Sequence, residues 1–137
     1  HQLVLCDRTE KTVSSSEAHR RVCTSPFFEK RPLRAAKRLE HLLAAMHAEA
    51  WDTIFKICLE EFKDMHQLFE TASPLFSYVT PACHALIARI EDYWKQYHDG
   101  PIMTMDAGAT LHLLYRPDQE KLADTFKQTL LEPYDLL

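Results

Sequence analysis

Apolar residues recur every three or four positions through the middle of the chain, which is the spacing of one helical face. Three segments show this pattern over several turns and predict helices at 31–49, 51–71 and 81–97. The first two are separated only by a short break near Ala48–Trp51, so we expect a helical hairpin. The apolar face of the first predicted helix consists of Leu39, Leu42, Leu43 and Met46, and that of the third ends at Tyr97.

Residues at the ends of these segments carry start and stop signals. Thr80 is a plausible N-cap and Pro81 suits the first helical position of the third helix. Gly100 is the predicted C′ residue of the same helix. Upstream, the serines of "SSSE" at 14–17 predict the capped start of an additional short helix.

Short apolar runs of strand character flank the helical region, at 2–7, 101–106 and 110–115. Only "AGA" separates the last two, which predicts an antiparallel hairpin. A helix over about 117–131 and a short strand within "YDLL" would complete the chain. This order predicts an α+β fold, in which helices cover one face of a small antiparallel sheet.

Composition narrows the classes of function. The 137 residues make one domain, and the net charge of −4 gives no general reason to expect nucleic acid as a partner. No apolar run approaches the length of a membrane span and no signal peptide is recognisable, so no membrane partner is expected. The chain begins with His1 directly before a strand-like run, and we therefore expect a piece of a longer polypeptide.

Cysteine and histidine residues are scattered. The four cysteines form no C-x-x-C pair and the eight histidines no H-x-x-x-H site, so no metal site is predicted. Free thiols are typical of a reducing compartment, and we expect a cytoplasmic protein.

Three places could carry chemistry. Asp106 lies beside Gly108, one of only two glycines, at the predicted hairpin tip, where a solvated turn aspartate is the plainer interpretation. Ser14–Ser16 lie near the basic residues Lys11, Arg20 and Arg21, and could cap a helix or bind phosphate. The connector "MHQLFETASPLFSYV" is more typical of packing than of a site. The sequence contains no phosphate-binding loop of the G-x-x-x-x-G-K type.

Three blocks occur in an order and spacing that resemble the C-terminal half of diphosphomevalonate decarboxylases, members of the GHMP kinase superfamily. "KTVSSSEAHRRVCTSP" is similar to K-x-x-S-[ST]-x-G-M leading to T-S-P, and "MHQLFETASPLFSYVTP" to M/F-H-A-T followed by P-P-I-S-Y. "MTMDAGATLHLL" is similar to F-D-A-G-P-N-A followed by a strand. The resemblance extends from Leu3 to about Phe126.

The resemblance implies a GHMP kinase C-terminal domain of ferredoxin-like fold and an ATP-dependent decarboxylation of mevalonate 5-diphosphate to isopentenyl diphosphate. It implies that Asp106 is the catalytic base towards the C3 hydroxyl and that Ser14, or else Ser15, contacts the diphosphate. Gly108 would let the chain turn tightly and the substrate approach the backbone. Glu17 stands at the family's glycine.

The same resemblance implies that ATP and Mg²⁺ are bound mainly by an N-terminal half that this chain does not contain, so that the fragment alone is inactive. It also implies a homodimeric full-length enzyme. Two alternatives stay open at this point. One is a related phosphomevalonate decarboxylase or mevalonate 3-kinase, and the other is a non-catalytic helical interaction domain with an exposed apolar stripe and a solvated Asp106.

Overall fold

The strands form one antiparallel sheet, as the sequence predicts. The structure, a computed structural model, describes residues 1–8 and 12–137. Within that part, the strands are β1 (Gln2–Leu5), β2 (Ile102–Met105), β3 (Thr110–Leu114) and β4 (Asp135–Leu136). Their order in the sheet is β2-β3-β1-β4, and all neighbours run antiparallel.

Alternation along the strands explains which face of the sheet is buried. Leu111 on β3 lies opposite Val4 on β1 and Met105 on β2, and all three side chains are buried. Met103 and Leu113 form the next buried cross-strand pair. This register brings the first strand beside a hairpin more than a hundred residues further along the chain, so the fold depends on long-range pairing.

The helices lie close to their predicted positions. They are α1 (Ser15–Arg21), α2 (Arg31–His47), α3 (Trp51–Glu70), α4 (Pro81–Tyr97) and α5 (Glu120–Thr129). Thr80 caps α4, because its hydroxyl accepts a hydrogen bond from the Cys83 N–H at 3.3 Å. Short 3-10 turns follow α1 at Val22–Thr24 and precede α5 at Pro117–Gln119.

The predicted end of α4 needs a correction. The residue in the left-handed conformation is His98, with φ of 51°, and not Gly100. Gly100 has φ of 158° and lies against Trp94, whose indole N–H donates to the Pro101 carbonyl at 2.9 Å. A glycine is needed here because a Cβ atom would lie 2.7 Å from Trp94 Nε1.

The chain divides into two compact units. The first consists of His1–Arg8 and Val79–Leu137, which hold the sheet, α4 and α5. Its order, β1-α4-β2-β3-α5-β4, is the ferredoxin-like βαββαβ arrangement. The second unit, Thr9–Tyr78, holds α1, α2 and α3, so the expectation that α2 and α3 cover the sheet stays a prediction.

The hairpin of α2 and α3 is joined by ion pairs as well as apolar contacts. The Asp64 carboxylate, whose side chain is 8% exposed, accepts hydrogen bonds from Arg34 at 2.8 Å and Arg38 at 2.6 Å. Glu61 on the same helix pairs with Arg38 at 3.0 Å and also with Arg31. These contacts link charged residues that are 23 to 30 positions apart in the sequence.

Part of the predicted apolar face of α2 is exposed. Leu39, Leu43 and Met46 are each about half exposed, whereas Ala45 is buried. Tyr97 at the end of α4 is also exposed, although the preceding residues of that face, from Cys83 to Trp94, are buried. Helical spacing therefore predicted these helices correctly but did not show which of their apolar residues are covered.

The described residues form neither a membrane-spanning helix nor a cluster of metal-ligating side chains. None of the helices there has the length and apolar character required to cross a bilayer. The same residues contain no group of three or more His, Cys, Asp or Glu side chains placed to hold a metal ion. All four cysteines are free thiols.

Candidate active site

Asp106 lies at the first position after β2, in the loop of the β2–β3 hairpin. Met105 and Leu111 are the last paired residues, so the loop is longer than a two-residue turn. Within it, the Gly108 N–H donates to the Asp106 carbonyl at 3.0 Å. The far side of the loop is tied to the first strand, because the Cys6 N–H donates to the Ala109 carbonyl at 2.9 Å.

The Asp106 side chain is exposed. Among residues 1–8 and 12–137, none forms a hydrogen bond or ion pair with its carboxylate. A carboxylate held on an anchored loop, with no partner among the described residues, can accept a proton from a bound hydroxyl group. The same geometry also suits a solvated turn aspartate, the plainer interpretation of the sequence.

Gly108 does not have the backbone conformation that favours glycine. Of the two glycines, Gly100 has a positive φ and Gly108 does not. A Cβ atom built at Gly108 meets no atom of the described chain within 4 Å. The tight turn therefore does not explain why a glycine stands at this position. The resemblance supplies another reason for Gly108, which is that a substrate approaches the backbone closely at this position.

Ser14 is the N-cap of α1, in agreement with the plainer of the two predictions for the serine cluster. Its Oγ accepts a hydrogen bond from the Glu17 N–H at 3.2 Å. A hydroxyl group has one donor and two acceptor positions, so the cap leaves the hydroxyl proton available to a phosphate oxygen. Ser14 is exposed and Ser15, the first helical residue, is half-buried.

Glu17 is neutralised by two arginines on its own helix. Its carboxylate accepts hydrogen bonds from Arg21 Nε at 2.8 Å and Arg20 Nη2 at 2.6 Å. Hydrogen bonds from Arg21 and then Arg20 lower the pKa of Glu17, so it is ionised at neutral pH. One carboxylate and two guanidinium groups leave a net positive charge, which favours a polyanion nearby despite the acid at position 17.

The predicted site residues belong to different units. Asp106 and Gly108 lie in the first, and Ser14 and Ser15 lie in the second. Lys11, the third basic residue of the predicted serine cluster, falls outside the described residues.

Sequence reasoning missed one set of contacts at the serines. The connector predicted to be mere packing reaches them through Tyr78, whose hydroxyl donates to the Val13 carbonyl at 2.8 Å. The aromatic residues that follow Pro74 were the only signal in the sequence. The ion pairs of Glu17 with Arg20 and Arg21 had a clearer signal in the sequence. These residues are three and four positions apart, and such pairs meet on a helix surface.

The solved structures to which this chain is similar include mevalonate diphosphate decarboxylases. A mevalonate diphosphate decarboxylase from Legionella pneumophila is 45% identical with a TM-score of 0.94, over 99% of this chain and 44% of that one. The decarboxylase from Enterococcus faecalis, solved for its mevalonate diphosphate mediated ATP binding mechanism, is 20% identical with a TM-score of 0.74, over 99% and 41%. A protein designated MDDEF, in complex with MVAPP, AMPPCP and magnesium, is 22% identical with a TM-score of 0.78, over 99% and 42%.

These likenesses define the class as an α+β domain of the mevalonate diphosphate decarboxylase type. The chain belongs to the mevalonate 5-diphosphate decarboxylase C-terminal domain family, whose family model matches residues 3–135. It spans less than half the length of each of the three solved proteins. A comparison with curated proteins found no significant match.

Proposed function

We propose that this chain is the C-terminal domain of an ATP-dependent decarboxylase that converts mevalonate 5-diphosphate to isopentenyl diphosphate, CO₂, ADP and phosphate. The observation that carries the proposal is the family match over residues 3–135, together with the 45% identity to the Legionella pneumophila enzyme. The longer, cytoplasmic enzyme would bind ATP and Mg²⁺ mainly through its N-terminal half, so the C-terminal domain alone would be inactive.

The proposed reaction has two stages. The C3 hydroxyl of the substrate attacks the γ-phosphorus of ATP while the Asp106 carboxylate accepts its proton, and ADP leaves. The C3 phosphate then leaves with its bonding electrons, while the bond between the carboxylate and C2 breaks to give CO₂ and the alkene. A tertiary alcohol is a poor nucleophile, which is why a positioned base assists the first stage.

Ser14 is assigned to the diphosphate of the substrate, with Ser15 as the second choice. The exposed hydroxyl of Ser14 and the net positive charge of Glu17, Arg20 and Arg21 support this assignment. A hydrogen bond from a hydroxyl to a charged phosphate oxygen is among the stronger ones in proteins. Gly108 is assigned to close approach of the substrate, because its Cβ position is open among the described residues.

The bound forms of the relatives support the choice of ligands. MDDEF was solved with MVAPP, the ATP analogue AMPPCP and magnesium, and the Enterococcus faecalis work concerns ATP binding mediated by mevalonate diphosphate. We carry mevalonate 5-diphosphate, ATP and Mg²⁺ over to the longer enzyme on this basis. Within this chain, only Asp106 and the serines would act on the substrate.

The second candidate is a non-catalytic helical interaction domain. Two observations favour it, namely the exposed apolar residues Leu39, Leu43 and Met46 on α2 and the exposed Asp106. We assign the α2 surface to the homodimer that the resemblance implies, because it is an exposed apolar stripe and such stripes mark interaction surfaces. Leu43→Glu would then convert a dimer to a monomer in sedimentation equilibrium.

The decisive experiment uses the full-length protein that carries this chain, with ATP and Mg²⁺. CO₂ and ADP are measured with mevalonate 5-diphosphate, mevalonate 5-phosphate and mevalonate as separate substrates. We expect equal amounts of CO₂ and ADP, with the highest kcat/KM for the diphosphate. A preference for the monophosphate would indicate the related decarboxylase, and ADP without CO₂ would indicate a 3-kinase. Folded protein inactive on all three substrates would favour the interaction domain.

A further inference from the structure

The part of the connector from Thr71 to Tyr78 holds the serine-containing segment at four points. The segment concerned runs from Val13, just before the cap of α1, to Ser25, just after the 3-10 turn. The contacts are Thr71 Oγ1 with Ser25 Oγ at 2.7 Å, the Ser73 N–H with Thr24 Oγ1 at 2.7 Å, the Phe76 ring with the Arg21 guanidinium at 5.6 Å, and Tyr78 Oη with the Val13 carbonyl at 2.8 Å.

Of the four contacts, the one made by Tyr78 lies nearest to Ser14. The Tyr78 side chain is itself held in place by its surroundings. Only 5% of the residue is exposed. Its ring packs edge-on against Phe69, Phe76 and His66, with centroids 5.3, 5.4 and 6.4 Å away. Burial raises the pKa of Tyr78, so the hydroxyl stays protonated and able to donate.

The hydrogen bond to Val13 acts on Ser14 through the peptide plane. The Val13 carbonyl and the Ser14 N–H belong to one planar peptide unit, so fixing the carbonyl also fixes the direction of that N–H and the Cα of Ser14. From there, the Ser14 carbonyl accepts the Ala18 N–H at 2.9 Å and its Oγ accepts the Glu17 N–H. Ser14 is thus held by α1 on one side and by Tyr78 on the other.

We propose that Tyr78 is a positioning residue, which aims the Ser14 hydroxyl at the diphosphate of the substrate. The inference rests on the proposed function, because it needs Ser14 to bind that diphosphate. Tyr78 itself does not touch the substrate. Because Tyr78 orders the serine-containing segment in advance, less conformational entropy would be lost when the substrate binds.

The test is a double-mutant cycle in the full-length enzyme, with Tyr78→Phe, Ser14→Ala and the double variant. Phenylalanine keeps the packed ring and removes only the hydroxyl. We expect Tyr78→Phe alone to raise KM for mevalonate 5-diphosphate by about three- to tenfold, the size of a lost neutral hydrogen bond, with kcat and KM for ATP changed less than about twofold. In the Ser14→Ala background, the same change should raise KM by less than about twofold.

A matched control is Tyr134→Phe, since the Tyr134 hydroxyl also reaches a carbonyl, that of Ala82, at 3.5 Å, but in the first unit. It should leave KM unchanged. Unchanged KM in Tyr78→Phe, or an equal rise with and without Ser14, would overturn the positioning role even if the protein becomes less heat-stable. An unchanged KM in Ser14→Ala would instead remove the proposed diphosphate contact, and the positioning role with it.

Discussion

The Oγ of Ser14 accepts a hydrogen bond from the backbone N–H of Glu17 at 3.2 Å, so the serine proposed to bind the substrate also caps its own helix. Removal of the hydroxyl should therefore affect both stability and binding. Ser14→Ala loses the cap, which costs about 1 kcal/mol, and should lower the midpoint of thermal unfolding. It should also raise KM for the substrate about ten- to a hundredfold, with less effect on KM for ATP.

Ser14→Asp separates the two roles. Aspartate caps helices as well as serine does, so the thermal midpoint should stay near that of the unchanged protein. Its negative charge would repel the diphosphate, so KM should rise at least as much as in Ser14→Ala. A near-normal KM in the aspartate variant would move the diphosphate contact to Ser15.

The two glycines should respond in opposite ways to alanine. Gly100→Ala places a Cβ atom 2.7 Å from Trp94 Nε1 at a φ of 158°, and we expect a loss of about 1–3 kcal/mol in the free energy of unfolding. Gly108→Ala meets no described atom within 4 Å and should leave stability unchanged or raise it by up to about 1 kcal/mol. Thermal unfolding of both variants measures the difference.

The activity of Gly108→Ala is a separate readout. If the substrate approaches the backbone at this position, the added methyl group should raise KM without lowering the thermal midpoint. A variant with normal kcat and KM would show that Gly108 has no part in binding. Gly100→Ala serves as the control for a change that affects folding.

The spacing of apolar residues was sufficient to predict most of the helices and strands. The strands near 2–7, 101–106 and 110–115 and the helices were predicted within a few residues, because period-two and helical patterns reflect burial on one face. The prediction for the end of α4 was wrong. Glycine is the residue expected in the left-handed conformation, so the sequence pointed to Gly100, whereas His98 adopts that conformation. The exposure of Leu39 and Leu43 was also unpredictable, because spacing shows a face but not what covers it.

Sequence patterns alone predicted less of the candidate site than of the fold. Asp106 was singled out by its place beside a rare glycine, but its role as a base came from the resemblance. Tyr78 and Val13 are 65 residues apart, and no local pattern relates a tyrosine hydroxyl to a distant carbonyl. The pairing of Glu17 with Arg20 and Arg21 could have been predicted from helical spacing and would have explained an acid in a phosphate-binding segment.

Asp64 should make the second unit sensitive to acid. Burial alone would raise the pKa of Asp64, but hydrogen bonds and charge from Arg34 and Arg38 outweigh it, and the pKa lies below its ordinary value. The unfolded carboxyl group binds its proton near pH 3.9, so the contribution of Asp64 to stability is fully present well above that pH. It is lost as the pH falls below about 4 and through the lowered pKa of the folded state.

Asp64→Asn tests this dependence. At pH 7 it should cost about 1.5–3 kcal/mol, since the half-buried guanidinium groups of Arg34 and Arg38 lose their charged hydrogen bonds to Asp64. The difference in thermal midpoint between the two proteins should shrink as the pH is lowered from 5 to 3. Asp52→Asn, which removes an exposed partner of Lys56 on the same helix, should have an effect below about 1 kcal/mol. A pH-independent difference for Asp64→Asn would contradict the linkage.

Asp106→Asn is the sharpest test of the proposed chemistry. Asparagine has nearly the same volume and tolerates the same turn geometry, and the structure gives the Asp106 carboxylate no partner among the described residues that the change would disrupt. The thermal midpoint and KM for mevalonate 5-diphosphate should therefore change little. Asp124→Asn, an exposed aspartate on α5 of the same unit, is the matched control and should keep normal activity.

The chemical step should collapse in Asp106→Asn, because an amide cannot accept the proton of the C3 hydroxyl. Loss of a general base lowers kcat by about a hundred- to ten-thousandfold. Near-normal kcat would return Asp106 to the status of a solvated turn residue. Normal kcat with a raised KM would leave it as a binding group, because loss of a residue that only holds the substrate weakens binding without slowing proton transfer.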